Sequence, residues 1–222
     1  MSEQSGFEHL KSRQRAERDD YSSDFGLRIH RAISWLRPAE AALEGGDLDN
    51  AFVCYWIAFN AAYAGDLETD EAPSSRDEFR RYFASLLKAD SKQQIYDAIW
   101  TKFSGPIRML LDNRFTFAPF WTAQRGGDPE AWKPAFQRAG DVVRTALSKQ
   151  DTQRVLEIVF DRLYVLRNQV MHGGATWNGK VNRDQLRDAV AIQATMVPLF
   201  IQLMMDEPAE DWGMPFYPVM SD

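Results

Sequence analysis

Apolar residues recur along most of the chain at the three-and-four spacing of an α-helix, and strand-like alternation of Val, Ile and Thr is scarce. Ile29, Ile33, Leu36 and Leu43 give one apolar side to a helix over residues 26–43, and Gly45-Gly46 ends it. Asp47 or Asp49 starts a second helix that runs to about residue 64 and stops at Gly65. Ser75-Arg76-Asp77-Glu78 and Ser91-Lys92-Gln93-Gln94 both have the form of a capping box. They open a third helix to about residue 89 and a fourth to about residue 111. Residues 115–121 are aromatic and irregular. Asp128-Pro129 places Pro at a first helical position, predicting a fifth helix to about residue 147. A sixth spans about 151–172 and meets Gly173-Gly174, and Asn182-Arg183-Asp184-Gln185 caps a seventh that reaches about residue 205.

The expected architecture is therefore all-α, an antiparallel bundle of about seven helices. Residues 1–24 read as a polar arm, 25–206 as the helical domain with an insertion within 66–128, and 207–222, with three prolines, as an extended tail.

Composition narrows the class. In 222 residues, 45% are hydrophobic and 26% charged, the profile of a globular chain rather than a disordered one. A single cysteine, Cys54, excludes an intramolecular disulfide framework and a Cys-rich zinc site, and fits a reducing cytoplasm. Residues 1–24 lack the apolar run of a signal peptide. The longest apolar stretch, 189–205, is interrupted by Gln193, Pro198 and Gln202, which suits a buried helix better than a membrane span, so no membrane is expected. Cys54 lies in an apolar helix and reads as core.

The net charge of −6 argues against a generally basic nucleic-acid coat. The charge is nevertheless segregated. Residues 38–75 carry 8 acidic and no basic groups, and 191–222 carry 5 and none, whereas 125–190 carry 11 basic against 8 acidic. A locally positive surface is compatible with the acidic total.

Candidate chemistry concentrates at the end of the sixth helix, Leu166-Arg167-Asn168-Gln169-Val170-Met171-His172-Gly173-Gly174. Leu156, Phe160, Leu163, Leu166 and Val170 set this helix against a core. Asn168 and His172 are four apart and share a face, with Arg167 at its flank. Gly173 is a natural residue to end the helix, leaving His172 beside solvent or a cleft. An Arg that holds a phosphate, a His that moves a proton near neutral pH and an Asn that orients either partner suit phosphodiester chemistry in RNA. One His does not readily serve as base and acid in one step, so a symmetric dimer bringing two copies together is chemically useful. No His/Cys/Asp group has metal-ligand spacing, and neither metal nor other cofactor is expected. After the motif, Trp177 is a candidate for stacking on a base and Lys180 for touching phosphate, while Arg162 would widen the positive patch or pair with Asp161 or Glu157. Asn60, in an apolar helix, is a candidate brace for the motif helix.

Arg167-Asn168-Gln169-Val170-Met171-His172 resembles the signature of the HEPN superfamily (higher eukaryotes and prokaryotes nucleotide-binding domain), an Arg, a polar residue that is often Asn, about three variable residues and a His. Gly173-Gly174-Ala175-Thr176-Trp177 is similar to what many bacterial members carry next, and Tyr55-Trp56-Ile57-Ala58-Phe59-Asn60-Ala61-Ala62-Tyr63 resembles the family's earlier core helix. In organisation the likeness covers roughly 25–206, with its specific residues confined to those segments, and 76–128 is longer than a minimal bundle needs. The resemblance implies a bundle that dimerises through the motif helix. It also implies a metal-independent endoribonuclease acting as a toxin or in defence against phage, with an antitoxin or regulatory protein as a possible partner. Arg167 would contact phosphate or 2′-OH, Asn168 would orient, and His172 would carry the proton. Some members keep the fold without cleaving RNA, so a non-catalytic dimeric interaction or nucleotide-binding module is the alternative.

Overall fold

A computed structural model describes residues 6–64, 75–180, 183–215 and 217. The protein is all-α: ten helices and no strand occur among the described residues. They are α1 Gly6–Glu17, α2 Ser23–Glu44, α3 Leu48–Tyr63, α4 Ser75–Ala89, α5 Gln94–Asp97, α6 Ser104–Leu111, α7 Ala118–Arg125, α8 Lys133–Ser148, α9 Thr152–Met171 and α10 Arg183–Asp206.

The long helices lie close to their expected places because their caps act as the sequence suggests. Asp47 accepts from the Asn50 amide at 3.1 Å to open α3, and Asp151 accepts from the Arg154 amide at 3.0 Å to open α9. The α2–α3 link is so short that the two helices pack as neighbours, and α10 lies against both. On the other side, α9 packs against α4, α6, α8 and α3. Where these helices meet, Phe59, Phe83, Phe160 and Phe200 interlock, with ring centroids 4.5 Å apart for Phe59–Phe160 and 5.1 Å for Phe83–Phe160. By length and composition α10 is apolar enough to cross a membrane, and 61% of its most apolar window is buried inside this fold.

The number of helices differs from seven for identifiable reasons. Residues 6–17, read as polar arm, form α1, which buries Leu10 and Gln14 and is clamped by Arg13 to Asp206 at 2.6 Å and to the Met205 carbonyl at 2.8 Å. An expected single helix over 91–111 is divided. Asp90, rather than Ser91, caps α5 by accepting from the Gln94 and Ile95 amides at 2.9 and 2.7 Å. A π-helical turn, Ala98–Lys102, follows, and Pro106 is accommodated only in the first turn of a new helix, α6. The irregular aromatic stretch contains a 3-10 turn, Arg114–Thr116, and then α7. Asp128 binds the Glu130 amide at 3.0 Å in a tight turn, and α8 starts later, at Lys133-Pro134. The side-chain contacts of Ser75 and Glu78, and the whole of Asn182, lie outside the described residues.

The described part of the tail is non-helical and latched. Fully buried Arg28 donates to the carbonyls of Ala62, Ala64, Gly213 and Met214 at 2.7–3.1 Å, and Trp212 is 9% exposed. Residues 115–139 make a second small core of Phe117, Phe120, Ala123 and Trp132, separate from the main one. This aromatic lobe sits against α9, the helix that carries the motif.

Candidate active site

Leu156, Phe160, Leu163 and Leu166 hold α9 in the main core at 2% exposure or less. The helix then ends in two crossed bonds. The Gly174 amide donates to the Gln169 carbonyl at 2.7 Å, and the Gly173 amide to the Val170 carbonyl at 3.3 Å. Gly173 has φ +70°, a left-handed conformation that favours glycine. This is a Schellman closure with His172 at the C-cap, just after the last helical residue, Met171. His172 is exposed and makes no side-chain hydrogen bond or ion pair among the described residues.

Arg167 is half-buried, and its guanidinium donates to the Asn168 side-chain oxygen at 3.0 Å. Its Nε is enclosed without a hydrogen bond among the described residues. The contact turns Asn168 so that its oxygen faces Arg167. Asn168 and His172 are also joined through the backbone, the His172 amide donating to the Asn168 carbonyl at 3.0 Å. The motif thus forms one local unit at a solvent-facing helix end.

The loop after the motif is tied down at the start of α3. The Asn178 amide and the Arg183 guanidinium both donate to one oxygen of Asp49, at 3.1 and 2.7 Å, and Arg183 Nε donates to the Gly179 carbonyl at 3.0 Å. Asp49 is 8% exposed, so this paired carboxylate is a buried anchor. Trp177 is 71% exposed, with its indole beside the Asp47 carboxylate. The backbone amide of Asn50 in first place, with the Asn50 and Trp177 side chains, holds Asp47 below the ordinary aspartate range. Trp177 therefore presents an open indole face to solvent. Lys180, three residues on, is exposed.

Arg162 is not part of this surface. It is 2% exposed, lies with its guanidinium 4.5 Å from the centre of the Phe117 ring, and donates to the Thr116 carbonyl at 3.4 Å. Its position on the α9 side facing the aromatic lobe removes it from solvent, and its work there is to seat the lobe. Asn60 is half-buried and makes no side-chain hydrogen bond to the motif residues among the described contacts. α3 braces α9 through rings instead, with Phe59–Phe160 at 4.5 Å and Trp56–Tyr164 at 6.1 Å. Burial first, and the charge of Asp47 second, push the Cys54 thiol up, keeping it protonated and weakly nucleophilic.

Sequence reasoning missed Gln169, whose side-chain amide donates to the Phe115 carbonyl at 2.6 Å, and the Asp49–Arg183 anchor. Gln169 lies seven residues after Arg162, a two-turn spacing that puts both on one side of α9. Asp49 and Arg183 are far apart in sequence, and nothing local signals their pairing. A cavity of about 320 Å³ lies between α4, α8, α9 and the lobe, but none of Arg167, Asn168 or His172 lines it, and Arg154 and Arg80 there converge on Glu157 at 2.9 and 3.7 Å.

In comparisons with known proteins, no family model, no curated protein and no solved structure matches this chain.

Proposed function

We propose that this protein is a cytoplasmic, homodimeric, metal-independent endoribonuclease of HEPN type that acts on single-stranded RNA. The observation that carries the reading is the end of α9. Arg167 orients Asn168 at 3.0 Å, and His172 stands exposed at a Schellman-closed terminus. Trp177 and Lys180 are exposed in the loop that follows, which the Asn178 amide and Arg183 tie to Asp49.

In the proposed step, one His172 takes the proton of a ribose 2′-OH as its oxygen bonds to the adjacent phosphorus. The bond from phosphorus to the 5′-oxygen breaks, and the His172 of the second protomer, entering protonated, gives its proton to that oxygen. The products are a 2′,3′-cyclic phosphate and a 5′-OH. Arg167 supplies donors for the phosphoryl oxygens as charge builds on them, and Asn168 orients the hydroxyl or the imidazole. A toxin or phage-defence role, with an antitoxin or regulatory partner, follows from the resemblance.

Incubating varied single-stranded RNAs with wild type and His172→Ala, each with a chelator, tests this, with the oligomer mass measured alongside. Cleavage by a dimeric wild type that persists in chelator and disappears in the variant is the expected result. Equal cleavage by both proteins sinks the chemistry.

One observation favours a non-catalytic interaction module. Arg167 is half-buried, with its Nε enclosed and its outer nitrogen turned onto Asn168, which is also how a purely structural Arg is held. A folded dimer that leaves every RNA intact while binding a specific protein or nucleotide would establish that alternative.

A further inference from the structure

The lobe and the motif meet at one residue. The Phe115 carbonyl accepts from Gln169 Nε2 at 2.6 Å and from Trp121 Nε1 at 2.8 Å, so the α9 side chain and the lobe's own indole share an acceptor. On the same side of α9, two turns earlier, Arg162 donates to the next carbonyl, Thr116, and lies over Phe117. The backbone carbonyl of Gln169 is also the acceptor of the Gly174 amide, the bond that closes the helix at 2.7 Å. Gln169 therefore joins the lobe through its side chain and the helix end through its backbone, and it stands between Asn168 and His172 in the motif.

A helix end projecting into solvent frays, because its last carbonyls have few partners. This end is tied to a lobe with its own core of Phe117, Phe120, Ala123 and Trp132. We infer that Gln169 is a positioning residue: its bond to the Phe115 carbonyl fixes the place at which the last turn of α9 presents Asn168 and His172. The kinetic consequence rests on the ribonuclease reading; the structural one does not.

Gln169→Met tests it, because Met keeps the length of the side chain, adds no charge and cannot donate. The chain has three histidines, so the His172 ring signals are assigned in NMR spectra by comparison with His172→Ala, leaving His9 and His30 as internal controls. In Gln169→Met the His172 ring signals move while those of His9 and His30 stay, and the Gly174 amide exchanges about tenfold faster. RNA cleavage loses about tenfold in kcat, with KM within about twofold, as expected when a reacting group is misplaced but binding surface is retained. Trp121→Phe removes the lobe's donor to the same carbonyl without touching α9, and moves the His172 signals by a smaller amount. Unchanged His172 signals and Gly174 exchange in a folded Gln169→Met protein overturn the inference. If that variant does not fold, unchanged His172 signals in Trp121→Phe overturn it. If the wild type cleaves no RNA, the ribonuclease reading fails and the NMR measurements still decide the positioning role.

Discussion

Between Val155 and Leu166, α9 turns Leu156, Phe160 and Leu163 into the main core, where none exceeds 1% exposure, whereas Arg167, Asn168, His172 and Trp177 are half-buried or exposed. The first stretch is held by area and shape, through many weak contacts that no single donor controls. The second is held by a few directed bonds: Gln169 to Phe115, Gly174 to Gln169, and Asn178 and Arg183 to Asp49. The difference implies separable failures. Removing volume from the first stretch should threaten the whole fold, and removing one bond or one backbone conformation from the second should disturb only the site.

The largest effect is expected at Phe160. Its ring meets Phe59, Phe83 and Phe200 with centroids 4.5, 5.1 and 5.6 Å away and is fully buried. Phe160→Ala should cost about 3–5 kcal/mol, a large part of the about 5–15 kcal/mol that stabilises a typical domain. Denaturant unfolding followed by circular dichroism measures it. A loss below about 1 kcal/mol would mean that this ring cluster is not the keystone of the bundle, and the contrast between the two stretches would collapse.

A smaller and local effect is expected at Gly173. With φ at +70° and nothing within 4 Å of where a Cβ would stand, Gly173→Ala meets no clash and bears only the conformational penalty of a left-handed alanine, about 1 kcal/mol. Gly174 differs, since a Cβ there would lie 3.1 Å from the Gln169 carbonyl oxygen. Hydrogen exchange of the Gly173 and Gly174 amides should accelerate in Gly173→Ala while the amides of the buried stretch of α9 keep their protection. Equal acceleration along the whole helix would show that its two stretches unfold as one.

The same contrast explains what was legible in the sequence. Core helices announce themselves, because apolar spacing and caps such as Asp47 and Asp151 are local signals, and α2, α3, α9 and α10 lie near their expected places. The Schellman end at Gly173 was equally local. Elements held by polar or distant contacts were not. α1 carries few apolar positions, and its seat depends on Arg13 reaching Asp206 across the chain. Arg162 looked like surface charge because its partners, Phe117 and the Thr116 carbonyl, belong to a lobe whose fold periodicity does not reveal. Asn60 looked like a brace because a polar residue in an apolar helix invites one, but aromatic rings fill that role. At the motif, residue types and spacing were legible, while the orienting contacts of Asn168, Gln169 and Trp177 are tertiary or depend on rotamers.

The smallest expected effect concerns the loop alone and depends on pH. Asp47 caps α3 and has the Trp177 indole beside it, and the Asn50 amide first, with the Asn50 and Trp177 side chains, keeps its carboxyl below the ordinary aspartate value of 3.8. A group whose pKa is depressed by folding adds stability above its unfolded value and loses it as pH falls through the folded one. The cap and the approach of the indole to Asp47 should therefore be intact at neutral pH and weaken only below about pH 4, by little in total because Asp47 is partly exposed to solvent. Among the side-chain N–H signals of the chain's seven tryptophans, the one lost in Trp177→Phe is the probe. In wild type it should shift as the pH is lowered through that range, and in Asp47→Asn it should lose that titration, while the signal of buried Trp212, whose partner is the Glu207 carbonyl, stays still in both. If the Trp177 signal were already insensitive to acid in wild type, the indole would not be tethered by Asp47. The loop after the motif would then be held by Asp49, through the Asn178 amide and Arg183, with Trp177 free to turn.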